Sequence, residues 1–160
     1  MRRPSFLNKL KDEGKLGLVE PSEEICNSYL GKADNSLKSA RVLYENDLYE
    51  NSISMSYYAM YNSLTALLFK VGIKCENHAG SILLLKKLFK RIDLFNAISF
   101  AKEERIDKQY YVTPILTKES AQDMFKKAEE FSINIKLIIR KIGTENIESV
   151  REKLKIILTR

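Results

Sequence analysis

The chain has 160 residues and a formal net charge of +6 at pH 7, with 44% hydrophobic and 30% charged residues. This length suits one domain with a substantial core, and the balanced composition excludes a disordered or collagen-like chain. Six glycines and three prolines are too few for the many tight turns of a β-sandwich or barrel. Composition therefore favours a single all-α domain over residues 1–160.

Two features bear on location. The two cysteines, Cys26 and Cys75, are too few for the several disulfide bonds that stabilise small secreted domains. The residues after Met1 lack the apolar segment of a signal peptide. The stretch 51–69 lacks charged residues, but its many Asn, Ser, Thr and Tyr side chains could not enter hydrocarbon without partners. We therefore expect a cytoplasmic protein without a membrane span.

A short leading helix over residues 5–13 precedes the first long helix. Ser22 can cap the long helix by accepting bonds from free backbone N–H groups, and Asn46-Asp47 marks its end. Its apolar residues repeat at four-three spacing, which is typical of a helix that packs in a bundle. This seam consists of Cys26, Leu30, Ala33, Leu37, Ala40 and Tyr44.

The second long helix covers residues 51–69 and ends before Gly72. Because it carries no charge on any side, we predict that it is the central helix and is surrounded by protein. Beside its large apolar face runs a row of small side chains, which lets a second backbone come close, from this chain or from a second subunit. We name this row the small-residue stripe and predict that it forms an interface; it consists of Ser52, Ser56, Ala59, Ser63 and Ala66.

Two shorter helices follow, over residues 81–90 and 94–106. Thr117 then caps a third long helix, which ends at Gly143. Its apolar seam contains Ala121, Met124, Ala128, Phe131, Ile135, Ile138 and Ile142.

Residues 145–158 place apolar side chains on one face and predict an amphipathic helix that docks on the bundle or on a partner. The predicted architecture is an up-and-down bundle of four to five helices, three long and two short. Its core covers about residues 20–142, and residues 144–160 extend it.

The single histidine, His78, lies in the loop after the charge-free helix. Either its imidazole or Asn77 satisfies free backbone groups at the start of the next helix, or His78 contacts a phosphate or nucleotide. Cys75 has a two-ligand spacing to His78, but no second Cys/His pair could complete a zinc site. No Gly-x-Ser-x-Gly elbow and no phosphate-binding Gly-rich loop is present. We therefore assign no catalytic residue, no metal and no cofactor.

Positive charge is concentrated in one segment, because +5 of the +6 lies between Lys70 and Arg91. This segment is either a solvated helix face or a surface that contacts phosphates. A second segment, around Arg105, either anchors a loop or lines a ligand cleft. The residues that we predict to contact a ligand are His78, Lys74, Lys86, Lys87, Lys90, Arg105, Asp107 and Tyr110.

An ordered set of residues resembles the HEPN family, in particular its small stand-alone archaeal and bacterial members. The resemblance covers roughly residues 20–142. It rests on Tyr57-Tyr58-Ala59-Met60-Tyr61, Ala66-Leu67-Leu68, Gly72, His78, Arg105-Ile106-Asp107 with Tyr110, and Thr117 leading into Ala121, Ala128, Glu129 and Phe131. It implies a helical bundle, a homodimer, and binding of nucleotides or RNA, often beside a minimal nucleotidyltransferase in a toxin–antitoxin pair.

One departure from the family pattern concerns catalysis. Ribonuclease members of the family use an Arg-x4–6-His motif, whereas the positions that would need Arg before His78 are Val71, Gly72 and Ile73. The resemblance therefore implies a HEPN-like protein that binds nucleotide or RNA without catalysis. Two alternatives stay open: an interaction module, acting as a homodimer or a nucleotidyltransferase partner without its own ligand, and a divergent ribonuclease.

Overall fold

The computed structural model describes residues 3–110 and 117–159, and within them every side chain except those of residues 106–110. In these residues the chain forms seven helices and a two-stranded sheet, which confirms the predicted all-α bundle. The elements are α1 (Phe6–Asp12), β1 (Leu16–Leu18), α2 (Glu23–Glu45), α3 (Tyr49–Lys70), β2 (Ile73–Cys75), α4 (His78–Phe89), α5 (Ile92–Tyr110), α6 (Lys118–Lys141) and α7 (Thr144–Leu158).

Helices α2 and α6 begin where the sequence provides a capping side chain. Ser22 Oγ accepts a hydrogen bond from the backbone N–H of Ile25 at 3.1 Å, and Thr117 Oγ1 accepts one from that of Ser120 at 3.1 Å. Helix α2 ends at Glu45, and the left-handed backbone of Asp47, with φ 62°, turns the chain into α3. Both predicted caps and the predicted end of α2 are confirmed.

Helix α3 lies at the centre of the bundle, packed against α2, α5 and α6. Its large apolar residues are buried, and the seam of α6 packs against it, so the predicted central position of α3 is confirmed. The buried residues of the two faces include Ile53, Tyr57, Met60, Leu64 and Leu67 on α3, and Ala121, Met124, Ala128, Phe131 and Ile135 on α6.

The small-residue stripe packs inside the same chain. All five residues have no exposed surface. Ser52 Oγ donates to the carbonyl of Ala40 on α2 at 2.7 Å, and Ser63 Oγ lies 3.1 Å from Ser132 Oγ on α6. Of the two partners that the sequence left open for the stripe, this chain or a second subunit, the structure places α2 and α6 of the same chain against it.

A short antiparallel sheet, absent from the sequence prediction, lies where the C-terminal end of α3 leads into α4, and its other strand follows α1. Strands β1 and β2 pair Leu16 with Cys75 and Leu18 with Ile73. Gly72 precedes β2 with φ +74°, a left-handed conformation that ends α3 and is accessible to glycine at little cost. The sheet fixes the direction in which the chain enters α4.

Helices α4 and α5 differ from their predicted extents. Helix α4 begins at His78 rather than at residue 81, because Asn77 Oδ1 caps it by accepting from the backbone N–H of Gly80 at 2.8 Å. Helix α5 has 19 residues and is a fourth long helix, not a short one. Arg105, within both the predicted and the observed helix, stacks on Tyr57 and Tyr58 of α3.

Helix α7 docks on the bundle rather than extending away from it. Val150 and Leu154 are buried, and Arg151 Nη1 donates to the carbonyl oxygens of Val19 and Gly72, both at 2.7 Å. The C-terminal helix therefore holds the turn between α3 and β2. Among the described helices, none is both long and apolar enough to cross a lipid bilayer.

Candidate functional site

The site is built around His78, the first residue of α4. Asn77 satisfies the free backbone N–H of Gly80, so the imidazole is available for another partner. The other residues of the site come from two helices. Helix α3 contributes Tyr57 and Tyr61 on one face, and α5 contributes Lys102 and Arg105, which are one turn apart. We call these five residues the His78 cluster.

A hydrogen bond and ring stacking hold the imidazole. The Tyr57 hydroxyl lies 2.7 Å from His78 Nδ1. The Tyr61 ring stacks on the imidazole, with centroids 3.8 Å apart and planes inclined by 16°. Tyr57 has no exposed surface, whereas His78 is half-buried. The histidine is therefore oriented by two side chains of α3 while the residue stays partly exposed.

Arg105 joins the cluster by stacking on two tyrosine rings of α3. Its guanidinium carbon lies 5.2 Å from the ring centroid of Tyr57 and 5.0 Å from that of Tyr58. Such stacking on aromatic faces orients a guanidinium while leaving its N–H groups free to donate. Within the described part of the chain, neither Arg105 nor Lys102 forms an ion pair with a carboxylate.

Burial and positive charge keep the imidazole neutral. Desolvation, followed by the charges of Arg105 and Lys102, lowers the pKa of His78 below 6.5. Desolvation also raises the pKa of the Tyr57 hydroxyl, which therefore stays protonated. A phenol is the better donor and an imidazole nitrogen the better acceptor, so the proton of Tyr57 points to Nδ1 and His78 carries its own proton on Nε2.

The arrangement presents hydrogen-bond donors and positive charge together. The Nε2–H group of His78, the guanidinium of Arg105 and the ammonium of Lys102 all donate, and the two cations lack an anionic partner among the described residues. A group of this kind is suited to bind an anion with several acceptor oxygens, such as a phosphate. No group of three His, Cys, Asp or Glu side chains that could hold a metal occurs in the described residues.

Of the predicted ligand-contacting residues, the structure brings His78 and Arg105 together and places the lysines elsewhere. Lys74 is exposed on β2 and pairs with Glu76 at 2.9 Å, which raises the pKa of Lys74. Lys86, Lys87 and Lys90 lie at the other end of α4 from His78, about 12 Å or more along the helix axis. The side chains of Asp107 and Tyr110 lie outside the described residues.

The basic segment between Lys70 and Arg91 is therefore not one uniform surface. Lys70 pairs with Glu23 at 3.6 Å, and Arg91 pairs with Asp93 at 2.8 Å. These acids lie outside the segment, so the sequence count of +5 overstates its free charge. Lys86, Lys87 and Lys90 are the exposed remainder.

The residues that the sequence predicted to contact a ligand did not include Tyr57, Tyr61 or Lys102. A signal was present for the two tyrosines, because they are four residues apart and thus on one face of α3. No comparable local signal places Lys102, since its position beside His78 depends on how α5 packs.

Comparison with known proteins gives the following matches. A sequence model of the HEPN domain matches residues 26–138, which span most of α2 through α6. A protein of Methanocaldococcus jannaschii designated a candidate toxin is 29% identical over 114 residues, covering 69% of this chain and 85% of the relative. A second protein of that organism with the same designation is 30% identical over 105 residues, covering 62% of this chain and 71% of the relative. A UPF0332 protein of Archaeoglobus fulgidus is 28% identical over 114 residues, covering 69% and 91%.

Proposed function

Since the chain belongs to the HEPN family, we propose that it is a toxin-like member that binds the phosphate groups of RNA or of a nucleotide at the His78 cluster. The observation that carries this proposal is that Arg105 stacks on Tyr57, whose hydroxyl hydrogen-bonds the half-buried His78, while Lys102 lies one turn from Arg105 on the same helix. The toxin-like character rests on the designations of the two Methanocaldococcus relatives.

The hydrogen bond between Tyr57 and His78 favours binding without catalysis. A ribonuclease of the Arg and His type needs a histidine nitrogen that accepts a proton from the attacking hydroxyl. In the tautomer that Tyr57 stabilises, Nδ1 accepts from Tyr57 and Nε2 already carries hydrogen. His78 then acts as a hydrogen-bond donor to phosphate, and Arg105 supplies charge.

The test is binding of fluorescein-labelled RNA, followed by fluorescence anisotropy at several salt concentrations. We expect a salt-dependent affinity that falls about tenfold or more in Arg105→Gln and Lys102→Gln, because each removes a charge-assisted hydrogen bond. Lys153→Gln, an exposed change of the same type on α7, is the matched control and should cost far less. Equal affinities in all three variants would contradict the proposed site.

The same preparation tests for the divergent ribonuclease. We expect labelled RNA to stay intact during incubation with the protein. RNA cleavage that persists in His78→Ala would assign the activity elsewhere, and cleavage that His78→Ala abolishes would make His78 a catalytic residue and contradict binding without catalysis.

A second proposal concerns a protein partner, since the designation of relatives as toxins favours a partner that restrains the protein. We propose a minimal nucleotidyltransferase as that partner and a homodimer of this chain. Exposed apolar side chains on α6, Ile133 at 58% and Leu137 at 44%, provide contact area. Light scattering of the purified protein and co-purification with the product of a neighbouring nucleotidyltransferase gene test these two points; a monomer with no associated protein would contradict them.

A further inference from the structure

One arginine of the C-terminal helix, Arg151, lies against the turn at which α3 ends. Its Nη1 atom donates to the carbonyl oxygens of Val19 and Gly72, both at 2.7 Å, and to that of Val71 at 3.3 Å. Carbonyl groups around the C-terminal end of a helix lack partners within the helix, and the helix dipole favours a cation there. Arg151 therefore supplies a charged donor that α3 cannot provide for itself.

The turn is packed closely around the guanidinium of Arg151. A side chain at Gly72 would collide with this group and with the carbonyl oxygen of Val19. The carbonyl oxygen of Gly72 also accepts from the backbone N–H of Val19 at 2.9 Å, so it has two donors. Arg151 thus joins the end of α3 to the segment that follows β1.

A paired strand connects this turn to His78. Strand β2 starts directly after Gly72 and pairs with β1 along its length. Beyond the strand, the backbone N–H of Glu76 donates to the carbonyl oxygen of Lys15 at 2.8 Å, and Asn77 caps α4. His78 follows as the first residue of α4. Because hydrogen bonds hold the chain along this course, the geometry of the turn sets where His78 lies.

The contacts of His78 cross from one side of the turn to the other. Tyr57 and Tyr61 belong to α3, before the turn, whereas His78 belongs to α4, after it. The 2.7 Å bond between Tyr57 and His78 is lost when its two atoms separate by less than 1 Å beyond that distance. Helix α7 also packs against α1 and α4. It therefore holds both the turn and the helix that carries the histidine.

We propose that Arg151 is a positioning residue of the His78 cluster: it fixes the turn from α3 into β2 and thereby keeps His78 within hydrogen-bond reach of Tyr57. Helix α7 follows residues 26–138, which match the HEPN model, so the cluster depends on a helix outside the matched domain. This inference rests on the proposed function, because His78 donates to a phosphate in the orientation that Tyr57 maintains.

The experiment records the nitrogen-15 NMR spectrum of the His78 imidazole in Arg151→Met without RNA. This change keeps an unbranched side chain of similar length but removes the charge and the donors. We expect the imidazole to move from the Nε2–H tautomer to a mixture, and labelled RNA to bind about fivefold more weakly, as for the loss of one hydrogen bond. Arg151→Lys retains a charged donor and should bring the spectrum back toward that of the wild type.

Two controls separate positioning from stability. Lys153→Gln removes an exposed charge from the same helix. Ala33→Gly lowers stability at a buried position of α2, because glycine disfavours a helix. Neither change should move the imidazole signals, since the spectrum reports on the folded protein. Circular dichroism melts verify folding; if Arg151→Met does not fold, Arg151→Gln, which is shorter and neutral but keeps an amide donor, takes its place with the same expectation.

The outcomes distinguish this proposal from the proposed function. If Arg105→Gln and Lys102→Gln do not weaken RNA binding, the proposed function fails, while the spectrum without RNA still tests whether Arg151 positions His78. If those two variants weaken binding but Arg151→Met lowers only the melting temperature and leaves the imidazole spectrum unchanged, the positioning proposal alone is wrong. Equal spectral changes in Arg151→Met and Ala33→Gly, or no recovery in Arg151→Lys, would also overturn it.

Discussion

The hydroxyl of Tyr57 and Nδ1 of His78 lie 2.7 Å apart, which links a fully buried phenol on the central helix to a half-buried imidazole at the start of α4. This bond decides which imidazole nitrogen carries the proton. It therefore determines whether His78 meets a ligand as a donor or as a base. The following predictions test this bond and the packing that maintains it.

Replacing Tyr57 by Phe should change the histidine more than it changes the fold. The variant keeps the ring and its burial but removes the donor to Nδ1, so we expect a loss of about 1 kcal/mol in the free energy of unfolding. Nitrogen-15 NMR should show the imidazole moving from an Nε2–H tautomer to a mixture. Tyr58→Phe is the control, because the Tyr58 hydroxyl makes no hydrogen bond within the described residues. An unchanged tautomer in Tyr57→Phe would show that the bond does not set the proton position.

Stability should fall at acidic pH through His78. Burial, Arg105 and Lys102 lower the pKa of His78 in the folded protein below its ordinary value of 6.5. The unfolded chain therefore binds this proton more readily, so stability rises with pH in this window. The contribution is full above pH 6.5 and is lost as pH falls through 6.5 toward the folded-state pKa. Urea unfolding between pH 7.5 and 5 should show a smaller change in His78→Gln, and an identical change in both proteins would contradict the assignment.

The small-residue stripe contains a matched pair of serines. Ser56 Oγ is buried without a hydrogen-bond partner in the described residues, whereas Ser52 Oγ donates to the carbonyl of Ala40. We expect Ser56→Ala to raise the free energy of unfolding by about 1 kcal/mol and Ser52→Ala to lower it by about 1 kcal/mol. Urea denaturation of the two variants measures the contrast. Equal effects would mean that Ser56 has a partner in solution.

Gly72 and Gly31 should respond to alanine in opposite directions. At Gly72 the φ of +74° disfavours a side chain, and a Cβ would collide with Arg151 Nη1 and the carbonyl oxygen of Val19. We expect Gly72→Ala to lower the free energy of unfolding by about 2 kcal/mol or more. Gly31 lies within α2 with open space around it, so Gly31→Ala should raise stability by about 0.5–1 kcal/mol. A neutral Gly72→Ala in thermal melts would contradict the packing of Arg151 on this turn.

The helices could be read from the sequence because their signals are local. Four-three seams and capping side chains such as Ser22 and Thr117 act within a few residues, and they predicted α2, α3 and α6 with nearly the observed ends. Strands β1 and β2 have three residues each, which is too short for an alternating pattern to emerge. They exist because their backbones pair with each other across the chain.

Only part of the site could be predicted from the sequence, because its contacts are not local. His78 and Arg105 could each be singled out by residue type, but no spacing rule connects a residue at the start of α4 with one on the fourth turn of α5. Their contact through Tyr57 follows from how α5 packs on α3. Conversely, Lys74 and Lys86 are near His78 in sequence but do not join its cluster. Lys74 pairs with Glu76, and Lys86 lies at the opposite end of α4 from His78.

The most direct measurement uses the fact that His78 is the only histidine in the chain. A proton–nitrogen-15 NMR spectrum of the imidazole, recorded while the RNA of the anisotropy experiment is added, reports on one site. Binding of phosphate at the His78 cluster predicts a saturable shift of the Nε2–H signal that follows the anisotropy curve and weakens in Arg105→Gln. An imidazole spectrum that stays unchanged while the anisotropy saturates would contradict the central claim.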